Sequence, residues 1–140
     1  MNNTAILLPM FILATWTGLV LLLVPFVRIR AVMRRQVVAD DFKLGESTAV
    51  PAAVSIPNRN YMNLLEMPML FYVVCLLLYA VGASPTAVLL AWSYVLLRLL
   101  HSAIHLTYNK VIHRVSIFAA SNAVLVVLWA VAGYQVFVRA

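Results

Sequence analysis

Long apolar runs alternate with short polar joints along the whole chain. The first run extends from about Ala5 to Val27 and closes in the basic string VRIRAVMRR. The second starts in a mixed stretch, NRNYMNLLEMPML, from Asn58, and continues through FYVVCLLLYAV to about Val81. GASPT separates it from the third, about Ala87 to Leu106, and the fourth covers about Ser116 to Val138. Each run is close to the roughly 20 residues that cross a hydrocarbon core. Backbone in lipid must satisfy its own hydrogen bonds, so all four are predicted to be helices. The pattern predicts an all-α integral membrane protein: one domain, residues 1–140, folded as a four-transmembrane-helix bundle. Residues 36–57 form its one sizeable loop.

Composition agrees with that pattern. The chain is 65% hydrophobic with a mean hydropathy of +1.00, whereas soluble domains are about 45–50% apolar. A net charge of +6 could indicate nucleic acid. The basic residues, however, sit at the ends of the runs, which is a signature of membrane topology. Arg28, Arg30, Arg34, Arg35, Lys43 and Arg59 lie between runs one and two, and Lys110 and Arg114 between three and four. The joint between two and three has no charge. The positive-inside rule then puts both basic loops in the cytoplasm and both termini outside. The first run lacks a basic leader and a small-residue cleavage site after it, and reads as a retained anchor. Cys75, the single cysteine, lies within a run and reads as a small buried hydrophobe.

The long loop holds Asp40, Asp41, Lys43 and Glu46 and then the apolar AVPAAVSIP. A loop of this length serves as a lid or as a connector, and the sequence leaves both open. His101, His105 and His113 have no carboxylate or thiol partner beyond Glu66, so no metal site is expected.

The candidate chemistry is a polar stripe inside the runs. Ionisable groups in a span are costly and mark functional sites by default, and the hydrophobic segments contain two, Glu66 and Arg98. Each lies roughly 10–15 Å from the basic end of its helix at 1.5 Å per residue. Helices joined by a short turn are expected to be neighbours, so a buried Glu66–Arg98 ion pair is predicted. Asn63 and Arg59 continue the Glu66 face, at i−3 and i−7. On the third helix Tyr94, Arg98, His101, His105 and Tyr108 share one face. Two facing stripes, open at the basic end, outline a cleft for an anionic ligand. Interhelical packing is the alternative role of such residues. Ala14 and Gly18, and Ala119 to Ala123, offer small-residue surfaces for close helix contacts, within one protomer or between protomers.

RNYMNLLEMP and RLLHSAIHLTYNKVIHR resemble the MAPEG family, the membrane-associated proteins in eicosanoid and glutathione metabolism, in their small bacterial-type members. The resemblance, which spans nearly the whole chain, implies a homotrimer in a bacterial inner membrane. Glutathione is then the co-substrate, bound between subunits near the cytoplasmic face. Residues matching Arg59, Asn63, Glu66, Arg98, His101 and His105 line the family site, and the one matching Arg114 stabilises the thiolate. Some family hydroxyls are absent: Met67 follows the glutamate where tyrosine is common, and His105 replaces a tyrosine. Val115 and Phe118 stand where serine and tyrosine occur in one branch. The implied activity is glutathione transfer to, or reduction of, an apolar electrophile arriving from the lipid. The alternative is a catalytically inactive ligand- or lipid-binding or scaffold protein on the same fold. A channel is the weakest reading, because the polar stripe stops halfway across.

Overall fold

A computed structural model of the chain describes residues 3–43, 45 and 47–138; Glu46, one of the loop charges considered above, lies outside them. Five α-helices follow one another: α1 Leu7–Met33, α2 Ala52–Leu65, α3 Met67–Val81, α4 Pro85–Leu106 and α5 Val111–Phe137. α2 and α3 form one nearly continuous rod. Among the described residues, four stretches are therefore long and apolar enough to cross a membrane: Thr4–Met33, Ala52–Val81, Pro85–Leu106 and Val111–Phe137. The protein is all-helical and integral to the membrane, with multiple spans.

The helices outrun the apolar stretches that predict them. α1 carries Arg28 and Arg30 within its last turns, because arginine is a good helix former and can extend the ladder beyond the lipid. It ends at Arg35, whose φ of 56° is left-handed. The Arg35 and Gln36 amides donate back to the carbonyls of Val32 (2.9 Å) and Ala31 (3.0 Å), a Schellman closure. α2 begins at Ala52 rather than Asn58. The carbonyl of Pro51 accepts from the amides of Val54 and Ser55, and the apolar AVPAAVSIP supplies the first turns instead of a loop. Val54 packs with Ala31, Val37 and Val50 in a small satellite core, flanked by Val27 and Phe42. Val37, Phe42 and Val50 of the long loop are thereby seated on α1. Asp41 fixes its bend, accepting from the Val38 amide at 2.9 Å and the Ser47 hydroxyl at 3.1 Å.

The main core gathers Leu13 and Val20 of α1, Leu64 of α2, Phe71, Val74, Cys75 and Leu78 of α3, and Leu125 and Leu128 of α5. α4 adds Ala87 and Ala91, both fully buried one turn apart, which let its neighbours approach closely. The small residues that the sequence singles out face outward instead: Ala14, Gly18, Ala119 and Ala123 are all exposed. At the uncharged end, Ser84 caps α4 by accepting from the Ala87 amide at 3.2 Å, with Pro85 in the first turn. Gln135 closes that end. Its amide nitrogen donates to the Gly82 carbonyl at 2.7 Å, and its oxygen accepts from the Ser84 hydroxyl at 3.2 Å. α3 and α4 nevertheless touch only sparsely: α4 packs chiefly on α5 and then on α1, and α3 on α5 and α1.

Candidate functional site

The site grows from a fault in a helix. Pro68 has no N–H for the Leu64 carbonyl and restricts Met67 before it, so the rod breaks at Glu66, whose φ and ψ are −71° and −89°. The carbonyls of the last α2 turn lose their helical donors at that break. One of them is used: Nη2 of Arg98 donates to the Asn63 carbonyl. This corrects the predicted Glu66–Arg98 ion pair. Glu66 is exposed at the break and, among the described residues, makes no ion pair. Arg98 is completely buried, and its one hydrogen bond among the described residues goes to backbone, through Nη2. The expectation failed because it assumed that α3 and α4 lie side by side, and overlooked the acceptor that a proline break creates.

The buried face of α4 carries the remaining stripe. Tyr94, Arg98, His101 and His105 are between 0% and 2% exposed. Phe118 of α5 lies among them: the Arg98 guanidinium is 5.3 Å from its ring centre and the His101 ring 5.7 Å away. His101 and His105 meet edge to face with ring centres 6.0 Å apart. Several polar atoms here have no partner among the described residues: Nε and Nη1 of Arg98, Nδ1 of His101 and both ring nitrogens of His105. Buried polar groups are nearly always hydrogen-bonded in folded proteins. A cluster of such atoms on one face makes it the candidate site.

Two adjoining hollows open onto this face. One, of about 370 Å³, is lined by Ser47, Thr48, Ser55, Arg59, His105 and Arg114 among others. The second, of about 160 Å³, is lined by Asn63, His101, Arg114, Val115 and Phe118. Arg114 belongs to both and joins them into one cleft. Among the described residues neither is lined by an Asp or Glu, so the two guanidiniums, Arg59 and Arg114, and the loop hydroxyls make an anion-favouring mouth. The structure thus brings Arg59, Asn63, His101, His105 and Arg114 to one cleft. It puts Arg98 behind Phe118 and Glu66 at the outer edge of the helix break. Tyr108 lines neither hollow; it is exposed, with its hydroxyl 3.1 Å from Nδ1 of His113.

Arg114 is aimed by the turn between α4 and α5. Asn109 adopts a left-handed φ of 47°, which asparagine tolerates better than most residues. Its amide donates to the Ile104 carbonyl at 2.8 Å, and its side-chain oxygen accepts from Nη1 of Arg114 at 2.9 Å. One residue both ends α4 and orients the guanidinium. Asn63 is similarly held, its amide nitrogen donating to the Arg59 carbonyl at 2.8 Å.

Behind α4 lies a buried node that the sequence reading missed. The Ser102 hydroxyl oxygen accepts from Nε1 of Trp16 at 2.8 Å and from Nδ2 of Asn60 at 2.6 Å. Three helices, α1, α2 and α4, are fastened at one atom beside His101. Asn60 and Ser102 are fully buried. The available signal was Asn60 between Arg59 and Asn63, a second amide turned to one side of the site stripe on α2. Among the described residues no group of three or more His, Cys, Asp or Glu could hold a metal ion.

No curated protein and no solved structure gives a significant match to the chain. A family model described as MAPEG family matches residues 6–134, nearly the whole length. The chain belongs to the MAPEG family, a membership that supports in general terms a membrane role in glutathione-related transferase or peroxidase chemistry.

Proposed function

We propose that the protein is a membrane glutathione-dependent transferase or peroxidase acting on apolar electrophiles at the cleft between α2, α4 and α5. The observation that carries this reading is the set of orphaned polar atoms on the buried face of α4, beside a mouth with two arginines and, among the described residues, no acid. Glutathione brings two carboxylates, an ammonium and a thiol. Arg59, Arg98, His101 and His105 supply donors for the carboxylates and peptide groups, Asn63 an amide for the peptide, and Glu66 a carboxylate for the ammonium. Arg114 is the catalytic residue. Its guanidinium lowers the thiol pKa and holds the thiolate, the reactive nucleophile, and it stays charged at any working pH. An apolar electrophile reaches the thiolate from the lipid side past Val115 and Phe118.

The cleft is taken to face the cytoplasm, with both termini outside, because the basic residues cluster at that end of the bundle. It is completed by a neighbouring protomer in a homotrimer. Two features support that assembly: Nε and Nη1 of Arg98 lack partners among the described residues, and the small residues Ala14, Gly18, Ala119 and Ala123 are exposed. A bacterial inner membrane is the setting that the family likeness suggests.

Conjugation of glutathione to a generic aryl halide by the detergent-purified protein tests the activity. Wild type is expected to turn over, and Arg114→Ala to lose about 100-fold or more while still folded, as for loss of one preorganised anion-stabilising donor. Equal rates in the two proteins would remove Arg114 from the chemistry. One observation favours a second reading, a ligand-binding protein without catalysis. Nη1 of Arg114 is engaged by Asn109, and Val115 and Phe118 offer no hydroxyl beside it. Saturable glutathione binding with no conjugation of any electrophile would select that reading.

A further inference from the structure

α1 carries a surface that the cleft does not use. Ile12, Leu19, Phe26 and Met33 recur every seven residues, a spacing that drifts only ~20° per repeat and so keeps them on one stripe. Two open grooves lie along that stripe. The first, of about 310 Å³, is lined by Phe11, Ile12, Thr15, Trp16 and Leu19 together with Leu99. The second, of about 500 Å³, lies at the basic end and is lined by Phe26, Ile29, Arg30, Met33 and Arg34. Leu22, 68% exposed, bridges the two. The second groove therefore has an apolar floor and two exposed guanidiniums, one turn apart, at its water-facing end.

We propose that this groove is a binding site for one anionic phospholipid, with the phosphate between Arg30 and Arg34 and an acyl chain along Met33, Ile29, Phe26 and Leu22. The chemistry of the two ends selects the ligand. Arg30 and Arg34 make no ion pair among the described residues, and guanidinium is suited to phosphate because it offers parallel donors in a planar fork. From Arg30 to Leu19 the helix rises roughly 16 Å, close to half of a ~30 Å hydrocarbon core. The stripe thus matches the depth of a single leaflet. A second copy of the chain is a poorer occupant. With ten Lys and Arg against four Asp and Glu, it has few carboxylates for two free guanidiniums. One of the four, Asp41, is already engaged within its own loop.

Native mass spectrometry of the whole detergent-solubilised protein, titrated with dioleoyl phosphatidylglycerol or dioleoyl phosphatidylcholine, tests the site. Wild type is expected to retain the phosphatidylglycerol at least about 10-fold more tightly. The pair Arg30→Gln and Arg34→Gln should weaken it about 10- to 30-fold, on the order expected for two basic residues at an anionic surface. The charge-matched pair Arg35→Gln and Lys43→Gln, outside the groove, should leave it within about twofold. Equal affinity for the two lipids in wild type overturns the proposal without any variant, which covers the case of a double variant that fails to fold. Equal losses in the two charge pairs would reduce the effect to bulk attraction and overturn the site. A changed oligomeric mass in the Arg30/Arg34 pair, with lipid binding intact, would assign the groove to a protein interface. Glutathione binding should be unchanged in the Arg30/Arg34 pair, so this result and that of the cleft stand independently.

Discussion

α1 and α4 cross the same membrane under opposite rules. α1 is the more apolar, yet only 22% of its most apolar stretch is buried in the protein; α4 is the least apolar of the four spans and buries 44%. In water the order would be reversed. In lipid an apolar side chain gains little by packing on protein, whereas a polar one avoids the hydrocarbon only by turning inward. α4 therefore collects Arg98, His101, Ser102 and His105 inside the bundle, while α1 spreads Leu8, Phe11, Leu22 and Phe26 outside. Polarity within a span marks the inside of this protein, and the candidate site draws most on the helix that hydropathy ranks last.

The contrast can be broken most sharply at Arg98. If that guanidinium serves only packing, Arg98→Met should be neutral or stabilising, since apolar replacements of buried charges often are. As part of a site, it should cost about 100-fold in glutathione affinity, roughly 3 kcal/mol, with the thermal midpoint held within a few degrees. Thermal-shift and binding measurements on one preparation separate these outcomes.

Ser102→Ala addresses the node behind the site. It leaves the Trp16 and Asn60 donors without an acceptor in a buried place, and each orphan costs about 1–3 kcal/mol. A loss of about 2–4 kcal/mol is expected by denaturant or thermal unfolding in detergent. A loss below about 0.5 kcal/mol would show that water or lipid serves the two donors equally well.

Asn109→Gly is a finer probe of the turn that aims Arg114. Glycine accepts the left-handed backbone at no cost, so the helix end should survive while the guanidinium loses its tether. Turnover should fall about 3- to 10-fold, as expected for losing the orientation from one hydrogen bond of about 1 kcal/mol. Glutathione affinity should change less. The smallest effect belongs to α1: Leu22→Ala, on the lipid face, should shift stability by no more than about 0.5 kcal/mol. A larger loss would mean that a neighbouring protomer, rather than lipid, covers that face.

Much of this contrast was legible in the sequence, and the missing part has a common cause. Apolar runs of bilayer length announce the four spans, and the spacing of Arg98, His101 and His105 announces one face of α4. The position of Arg59 and Asn63 on the facing helix was equally readable. The partner of Arg98 was not. Pairing by charge pointed to Glu66, whereas the actual acceptor is a carbonyl at a proline break, a group that every residue carries and no pattern singles out. The Trp16–Ser102–Asn60 node spans helices far apart in sequence, and neither a tryptophan nor a serine in an apolar run signals a partner. Gln135 over Gly82 was hidden for the same reason. The loop of residues 36–57 was misjudged at its end, because AVPAAVSIP carries two prolines and looks irregular. Yet Pro51 sits where a helix starts, and Pro57 is tolerated inside α2, buried against its neighbours.

The central claim is that the orphaned polar atoms of α4 belong to a ligand site, and calorimetric titration of glutathione into the purified protein tests it most directly. Wild type should bind saturably below millimolar concentration, and His105→Phe, which keeps an aromatic ring but removes both nitrogens, should bind at least about 10-fold more weakly. No heat of binding at several millimolar glutathione, or equal affinity in the two proteins, would contradict it.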